Sequence, residues 1–184
     1  MDTRTDVVAA IPELDALPGG AFADAIAPLF EGAERFVARL ERERPFGTAE
    51  ALFARARTVA MQMPEDEQIE LVDAHPRLGA PPGSVSALSY VEQGYDRDAA
   101  DAAAEEDRRE TDGRLARLNT AYEQRFGFRF CVFVAGRPRA ELLPVFEKAL
   151  TAERSSELRR AVVAAVDIAE ARYRRMRGAG DETR

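Results

Sequence analysis

The chain has 184 residues, 46% hydrophobic and 32% charged, with a net charge of −7 and a pI of about 5.0. That length and balance suit one globular domain with a sizeable core, and the acidic charge argues against a nucleic-acid partner. Cys131 is the single cysteine, so no intrachain disulfide can form, and no stretch approaches the roughly 20 apolar residues that span a bilayer.

Residues 1 to about 20 end in Leu17-Pro18-Gly19-Gly20 and read as a lead-in with a short helix. From Phe22 through Ile26, Leu29, Phe30, Ala33, Phe36, Val37 and Leu40 the apolar positions recur at threes and fours, an amphipathic helix with an interruption expected at Pro28. Arg44-Pro45-Phe46-Gly47 breaks the pattern, Thr48 offers an N-cap, and Leu52, Phe53, Ala56, Val59, Ala60 and Met63 form the next stripe. Pro64 and the acidic run Glu65-Asp66-Glu67 then open a short helix carrying Ile69, Leu71 and Val72.

That helix is expected to stop at Ala74-His75-Pro76-Arg77-Leu78-Gly79, which holds the only histidine. Pro76 disfavours helical geometry at His75, and Pro81-Pro82-Gly83 delays any resumption. An imidazole on a backbone stiffened from both sides is the first acid–base candidate, the plain alternative being a surface or capping histidine. Ser84 to Gly94 reads as a helical turn ended by glycine, and the Ala-, Asp-, Glu- and Arg-rich stretch from Asp96 to Arg125 as a solvated helix face or a mobile connection in its first half.

Phe126-Gly127-Phe128-Arg129-Phe130-Cys131-Val132-Phe133-Val134 breaks the helical period, and its aromatic and β-branched residues favour an extended, buried segment. Gly136-Arg137-Pro138 leads into a helix with Leu142, Leu143, Val145, Phe146 and Leu150, and Leu158 to Met176 marks a long terminal helix before a flexible tail at 178–184. The expected fold is all-α: one domain over 1–184 with its core at about 22–176, seven or eight helices, and an extended segment near 128–134.

One histidine and one cysteine cannot build a tetrahedral zinc site, carboxylates show no calcium-loop spacing, and no phosphate-cradling glycine loop or nucleophile elbow occurs, so no metal or cofactor is expected. Met61 and Met63 read as gap-fillers, Cys131 as a small buried hydrophobe, Glu92 and Gln93 as ordinary polar surface, and Arg172 as a stripe-edge arginine with its head in water.

The ordered pieces carry more than any one alone. Arg44-Pro45-Phe46, Ala74-His75-Pro76-Arg77-Leu78-Gly79, Ser89-x-x-Glu92-Gln93-Gly94, Leu118-Asn119-x-x-Tyr122-x-x-Arg125-Phe126-Gly127-Phe128-x-Phe130 and Ile168-Ala169-x-x-Arg172 span most of the chain. In these pieces the sequence resembles the 2-oxo-4-hydroxy-4-carboxy-5-ureidoimidazoline (OHCU) decarboxylases, which complete the route from urate to (S)-allantoin.

The resemblance implies an all-α, cofactor-independent carboxy-lyase, usually homodimeric, acting on a small ureidoimidazoline. Apart from it, Met1-Asp2-Thr3-Arg4 shows no signal pattern, so the cytoplasm is the default, and no nucleic-acid or membrane partner is expected. By position the resemblance implies His75 as proton donor, Glu92 as catalytic glutamate and Arg172 as a pocket arginine. Pro76, the turn Ser89, Tyr90, Val91 and Gln93, and the segment Phe130, Cys131, Val132, Phe133 and Val134 would contact substrate. Arg129 departs from the family's usual proline, and the stretch between Gly79 and Ser89 is short. The alternatives are a non-catalytic helical interaction module, or a same-fold decarboxylase acting on a related purine-breakdown product.

Overall fold

A computed structural model describes residues 8–98 and 105–181, and the regular structure among them is helical throughout, as expected. In chain order the helices are α1 (Ile11–Ala16), α2 (Gly19–Ile26), α3 (Glu34–Glu41), α4 (Ala49–Gln62), α5 (Glu65–Ala74), α6 (Ala87–Glu92), α7 (Tyr95–Asp98), α8 (Glu105–Phe126), α9 (Arg139–Ala149) and α10 (Arg154–Asp181). Short 3-10 turns lie at Ala27–Phe30 and Pro82–Ser84. The described residues divide into two compact units, one running to Ala74 and resuming at Val162, the other spanning His75–Ala161.

In the first unit the stripe from Phe22 to Leu40 is buried as predicted, but on two helices rather than one. Pro28 sits in the 3-10 turn after α2, and Glu31 and Gly32 take positive φ values of 51° and 77° before α3 begins. A break of this length preserves the three-and-four spacing, which is why periodicity alone counted fewer helices. The lead-in contains α1, and residues 1–7 lie outside the described residues.

Asp15, just inside the end of α1, anchors the turn that follows α3: its carboxylate accepts from the N–H groups of Phe46 and Gly47, at 3.0 and 2.7 Å. Arg44 in that turn donates to the Leu17 carbonyl at 2.6 Å and lies 4.5 Å over the Phe22 ring. Thr48 caps α4, its hydroxyl accepting from Ala51 N–H at 3.1 Å. The acidic start of α5 meets α3 through Arg35 with Asp66 and Glu70, and through Arg39 with Glu67.

The second unit pairs α8 with α9, and α6 with α7. Residues 127–138 between α8 and α9 have no helix and pair with no strand. Gly127, at φ 79°, ends α8, and Phe128, Phe130, Cys131 and Val134 turn inward while Phe133 stays exposed. They close on Tyr122, whose ring stands edge-on to Phe126, Phe128, Phe130 and Phe146 with centroids 4.6–5.7 Å apart. Those are favourable aromatic separations. Cys131 is buried, as expected of a small hydrophobe.

The charge-rich stretch becomes α8 from Glu105, and residues 99–104 lie outside the described residues. The backbone of α10 continues past Gly178 to Asp181, where a tail was expected. A glycine costs a helix only about 1 kcal/mol, which an unbroken ladder tolerates. No helix among the described residues is long and apolar enough to cross a membrane.

Candidate active site

His75 follows the last residue of α5, and Pro76 ends the helix there as the sequence implied. The residue is buried, with 4% exposure, so the surface-histidine reading does not hold. Its Nε2 atom is enclosed, and its carbonyl accepts from Nη1 of Arg129 at 3.2 Å.

The turn after Pro76 is held almost residue by residue. Gln93 accepts from Gly79 N–H at 2.8 Å with Oε1 and donates to the Arg77 carbonyl at 3.2 Å with Nε2. Tyr95 donates its hydroxyl to the Ala80 carbonyl at 2.5 Å, and Asn119 Nδ2 donates to the Leu78 carbonyl at 2.9 Å. Arg77 itself pairs with Glu123 at 2.5 Å. Gly79 has φ 78°, and a Cβ there would lie 2.9 Å from Leu115 Cδ1, so both backbone and packing require glycine.

The Ser89–Gln93 turn is built on α6, which Ser86 caps by accepting from Ser89 N–H at 3.1 Å. Ser89 and Gln93 are buried, Tyr90 and Glu92 are half-buried, and Val91 is exposed. Gln93 is therefore not ordinary surface: it sits at the C-cap of α6, and both ends of its amide are bonded to the His75 turn. Its own carbonyl accepts from Arg139 Nη1 at 2.9 Å. Arg139 also lies 4.4 Å over the Tyr95 ring and reaches Asp112 at 3.2 Å.

The structure thus brings together the His75 turn, the α6 turn and, through Arg129, the segment beginning at Phe130. Sequence reasoning gave no role to Tyr95 or Arg139. Arg139 follows Gly136-Arg137-Pro138 and reads as one more surface charge; only its burial reveals it.

Arginines also fix the Phe130–Val134 segment. Arg160 Nη1 donates to the Cys131 carbonyl at 2.8 Å, and Arg137 donates to the carbonyls of Phe133 and Val134 at 2.6 and 2.9 Å. Arg160 is seated on Glu157 at 2.7 Å and lies 4.8 Å over the Phe130 ring, and Glu157 accepts from the Tyr122 hydroxyl at 2.9 Å. Burial, reinforced by the Glu157 carboxylate, pushes the Tyr122 phenol well above its ordinary range. Burial disfavours the Arg160 charge, but Glu157 and Tyr122 together more than offset it, so Arg160 is raised as well.

Arg172 belongs to the first unit and is fully buried. The expectation of a head in water is overturned: Nη1 donates to the Pro28 and Leu29 carbonyls at 3.1 and 3.3 Å, and Nη2 pairs with Glu31 at 2.7 Å. The turn made by Pro28 and Gly32 turns those carbonyls toward α10, which one-dimensional stripe reasoning could not show. Among the described residues no three His, Cys, Asp or Glu side chains cluster as metal ligands would.

The sequence model of the OHCU decarboxylase family matches residues 15–174. The chain belongs to the OHCU decarboxylase family. A 2-oxo-4-hydroxy-4-carboxy-5-ureidoimidazoline decarboxylase of Haloferax volcanii is 26% identical over 162 residues, covering 88% of this chain and 92% of that one. A uric acid degradation bifunctional protein of a Bacillus species, strain TB-90, is 23% identical over 152 residues, covering 83% of this chain. The match spans only 29% of that bifunctional protein.

Among solved structures, an OHCU decarboxylase crystallised in the presence of (S)-allantoin superposes with a TM-score of 0.63 at 22% identity, covering 83% of this chain and 96% of that one. An (S)-allantoin synthase superposes at 0.62 and 18% identity, covering 91% and 54%. These likenesses speak to the all-α fold.

Proposed function

We propose that this member of the family decarboxylates OHCU to (S)-allantoin without a cofactor, as the last step from urate to allantoin. The observation that carries the reading is the family match over residues 15–174, joined to the buried turn of the chain's only histidine. The interaction-module alternative expected the motif pieces to scatter. The bonds from Gln93 and Asn119 to the turn after His75 join three of the five pieces within the second unit, which supports the enzyme reading.

In this reading the bond from the ring carbon to the carboxylate breaks. The electron pair passes into the adjacent C=N system of the ring, whose nitrogen takes up a proton, and CO2 leaves. The hydroxyl then gives up its proton to become the ring carbonyl as a proton is added to one face of the carbon that carries the ureido group. His75 delivers that proton and Glu92 holds the substrate hydroxyl and shares the proton movements. A positioned acid–base group contributes about 10²–10⁴-fold. Pro76, Ser89, Tyr90, Val91 and Gln93 shape the site. Gln93 does so largely by holding the turn, since both ends of its amide are bonded there.

For the Phe130–Val134 segment, the carbonyls of Cys131, Phe133 and Val134 already accept from arginines. We therefore assign its substrate contacts to N–H donors, which suit the substrate's carbonyl oxygens. Arg172 takes an anionic or carbonyl group of the substrate. We assign the protein to the cytoplasm as a homodimer, which cell fractionation and light scattering of the purified protein test.

The deciding experiment mixes the protein with OHCU generated in place from urate by urate oxidase and hydroxyisourate hydrolase, followed by absorbance and circular dichroism. Spontaneous decay also yields allantoin, so the expected result is faster decay and a single hand of product. His75→Asn, folded as judged by its melting curve, should return the rate to background. Full activity in that variant refutes the assignment, and near-parent turnover in Glu92→Gln removes the glutamate from the proton steps.

A further inference from the structure

The four bonds from Gln93, Tyr95 and Asn119 land on Arg77, Leu78, Gly79 and Ala80, all beyond the rigid ring of Pro76. The peptide that carries the imidazole is reached from another direction. Its carbonyl accepts from Nη1 of Arg129, at 3.2 Å and across 54 positions of sequence. Arg129 directly precedes Phe130, and the segment it starts is fixed further along, at Cys131 by Arg160 and at Phe133 and Val134 by Arg137. One half-buried guanidinium therefore joins a braced stretch of backbone to the histidine's own peptide.

We propose that Arg129 is a positioning residue that sets where the His75 imidazole stands relative to the Phe130–Val134 segment. The proposal rests on the decarboxylase reading, in which the proton donor is His75 and the substrate lies against that segment. A guanidinium-to-carbonyl bond is charge-assisted and stronger than a neutral one. Acid–base catalysis is sensitive to such placement, since a misplacement of about 1 Å costs about 10²-fold. Arg129 touches neither substrate nor reacting atoms in this scheme; its effect passes through His75.

The test compares Arg129→Met, which keeps much of the stem and loses the donors, with Arg129→Lys, which restores a cationic donor. On freshly generated OHCU, Arg129→Met should lower kcat about 10-fold with KM within about 2-fold, and Arg129→Lys should recover much of the loss. Because His75 is the only histidine, its ring Cε1–H gives one unambiguous NMR resonance; it should shift in Arg129→Met and move back toward the parent position in Arg129→Lys.

Unchanged kcat with an unmoved resonance overturns the proposal. So does a loss confined to KM, which makes Arg129 a substrate contact instead. If Arg129→Met does not fold, Arg129→Lys and Arg129→Gln carry the same comparison, and parent-like kcat in both overturns it. A parent protein that fails to speed OHCU decay removes the decarboxylase reading separately. The imidazole resonance then decides the positioning question alone, and an unmoved resonance overturns it.

Discussion

The most demanding test of the first unit is Arg172→Met. The guanidinium has no exposed surface, the Glu31 side chain it meets at 2.7 Å is 13% exposed, and two further bonds go to the Pro28 and Leu29 carbonyls. Methionine fills similar length without a donor, so the substitution removes the ion pair to Glu31 and the donors to the Pro28 and Leu29 carbonyls. Removing one partner of a buried pair costs about 3–5 kcal/mol. In a domain of this size about 1 kcal/mol moves the midpoint about 2–4 °C, so the melting temperature should fall about 6–20 °C.

Urea unfolding followed by far-ultraviolet circular dichroism measures the loss directly, and Arg172→Met/Glu31→Gln tests its origin. If the broken Arg172–Glu31 ion pair is the main cause, the double variant should recover part of the deficit, because the buried carboxylate charge is gone. A single variant within about 1 kcal/mol of the parent would show that the pair behaves as a solvated surface contact, and the reasoning fails. Activity should be compared well below the variant's own midpoint. The pocket role assigned to Arg172 then separates from its structural one: lost turnover in a fully folded Arg172→Lys speaks for the former.

Gly79→Ala should destabilise by about 2–5 kcal/mol, combining a positive-φ penalty of about 1–2 with overpacking of about 1–3. The inserted Cβ meets both Cδ1 and Cβ of Leu115, which is itself fully buried on α8. A loss below about 1 kcal/mol by urea titration contradicts the geometry. Tyr122 gives an alkaline prediction: its folded pKa lies above the unfolded value of about 10, so its contribution is fully present below that pH and declines as pH rises beyond it. Stability should fall above about pH 10 by about 1.4 kcal/mol per unit for this group, and Tyr122→Phe should make that limb shallower by one proton. An unchanged slope refutes the burial argument.

The helical class and most buried positions were legible because periodicity reports which face of a helix is apolar, whatever the axis does. Phe22 to Leu40 shows the limit. Every predicted inward residue is buried, yet the axis breaks at Pro28 and Gly32, and that break presents the carbonyls that hold Arg172. Position in the chain also identified His75 as the residue after a helix end. It could not show what fixes the turn beyond it, because Gln93, Tyr95 and Asn119 act through side-chain bonds to backbone across 14 to 41 positions of sequence. Such bonds have no period and no preferred spacing.

The same applies to the arginines. The sequence assigned no backbone contact to Arg129, Arg137, Arg139 or Arg160, but in the second unit all four donate to main-chain carbonyls of the segments assigned to the site. A stretch that contacts a ligand through its backbone cannot use a helical ladder to saturate that backbone. Long planar donors reaching in from neighbouring elements replace the ladder, holding the carbonyls while leaving the segment irregular. That division of labour accounts for why residues 127–138, non-helical between α8 and α9, are so heavily bound by arginine. It predicts that disturbing these donors changes function before it changes the fold.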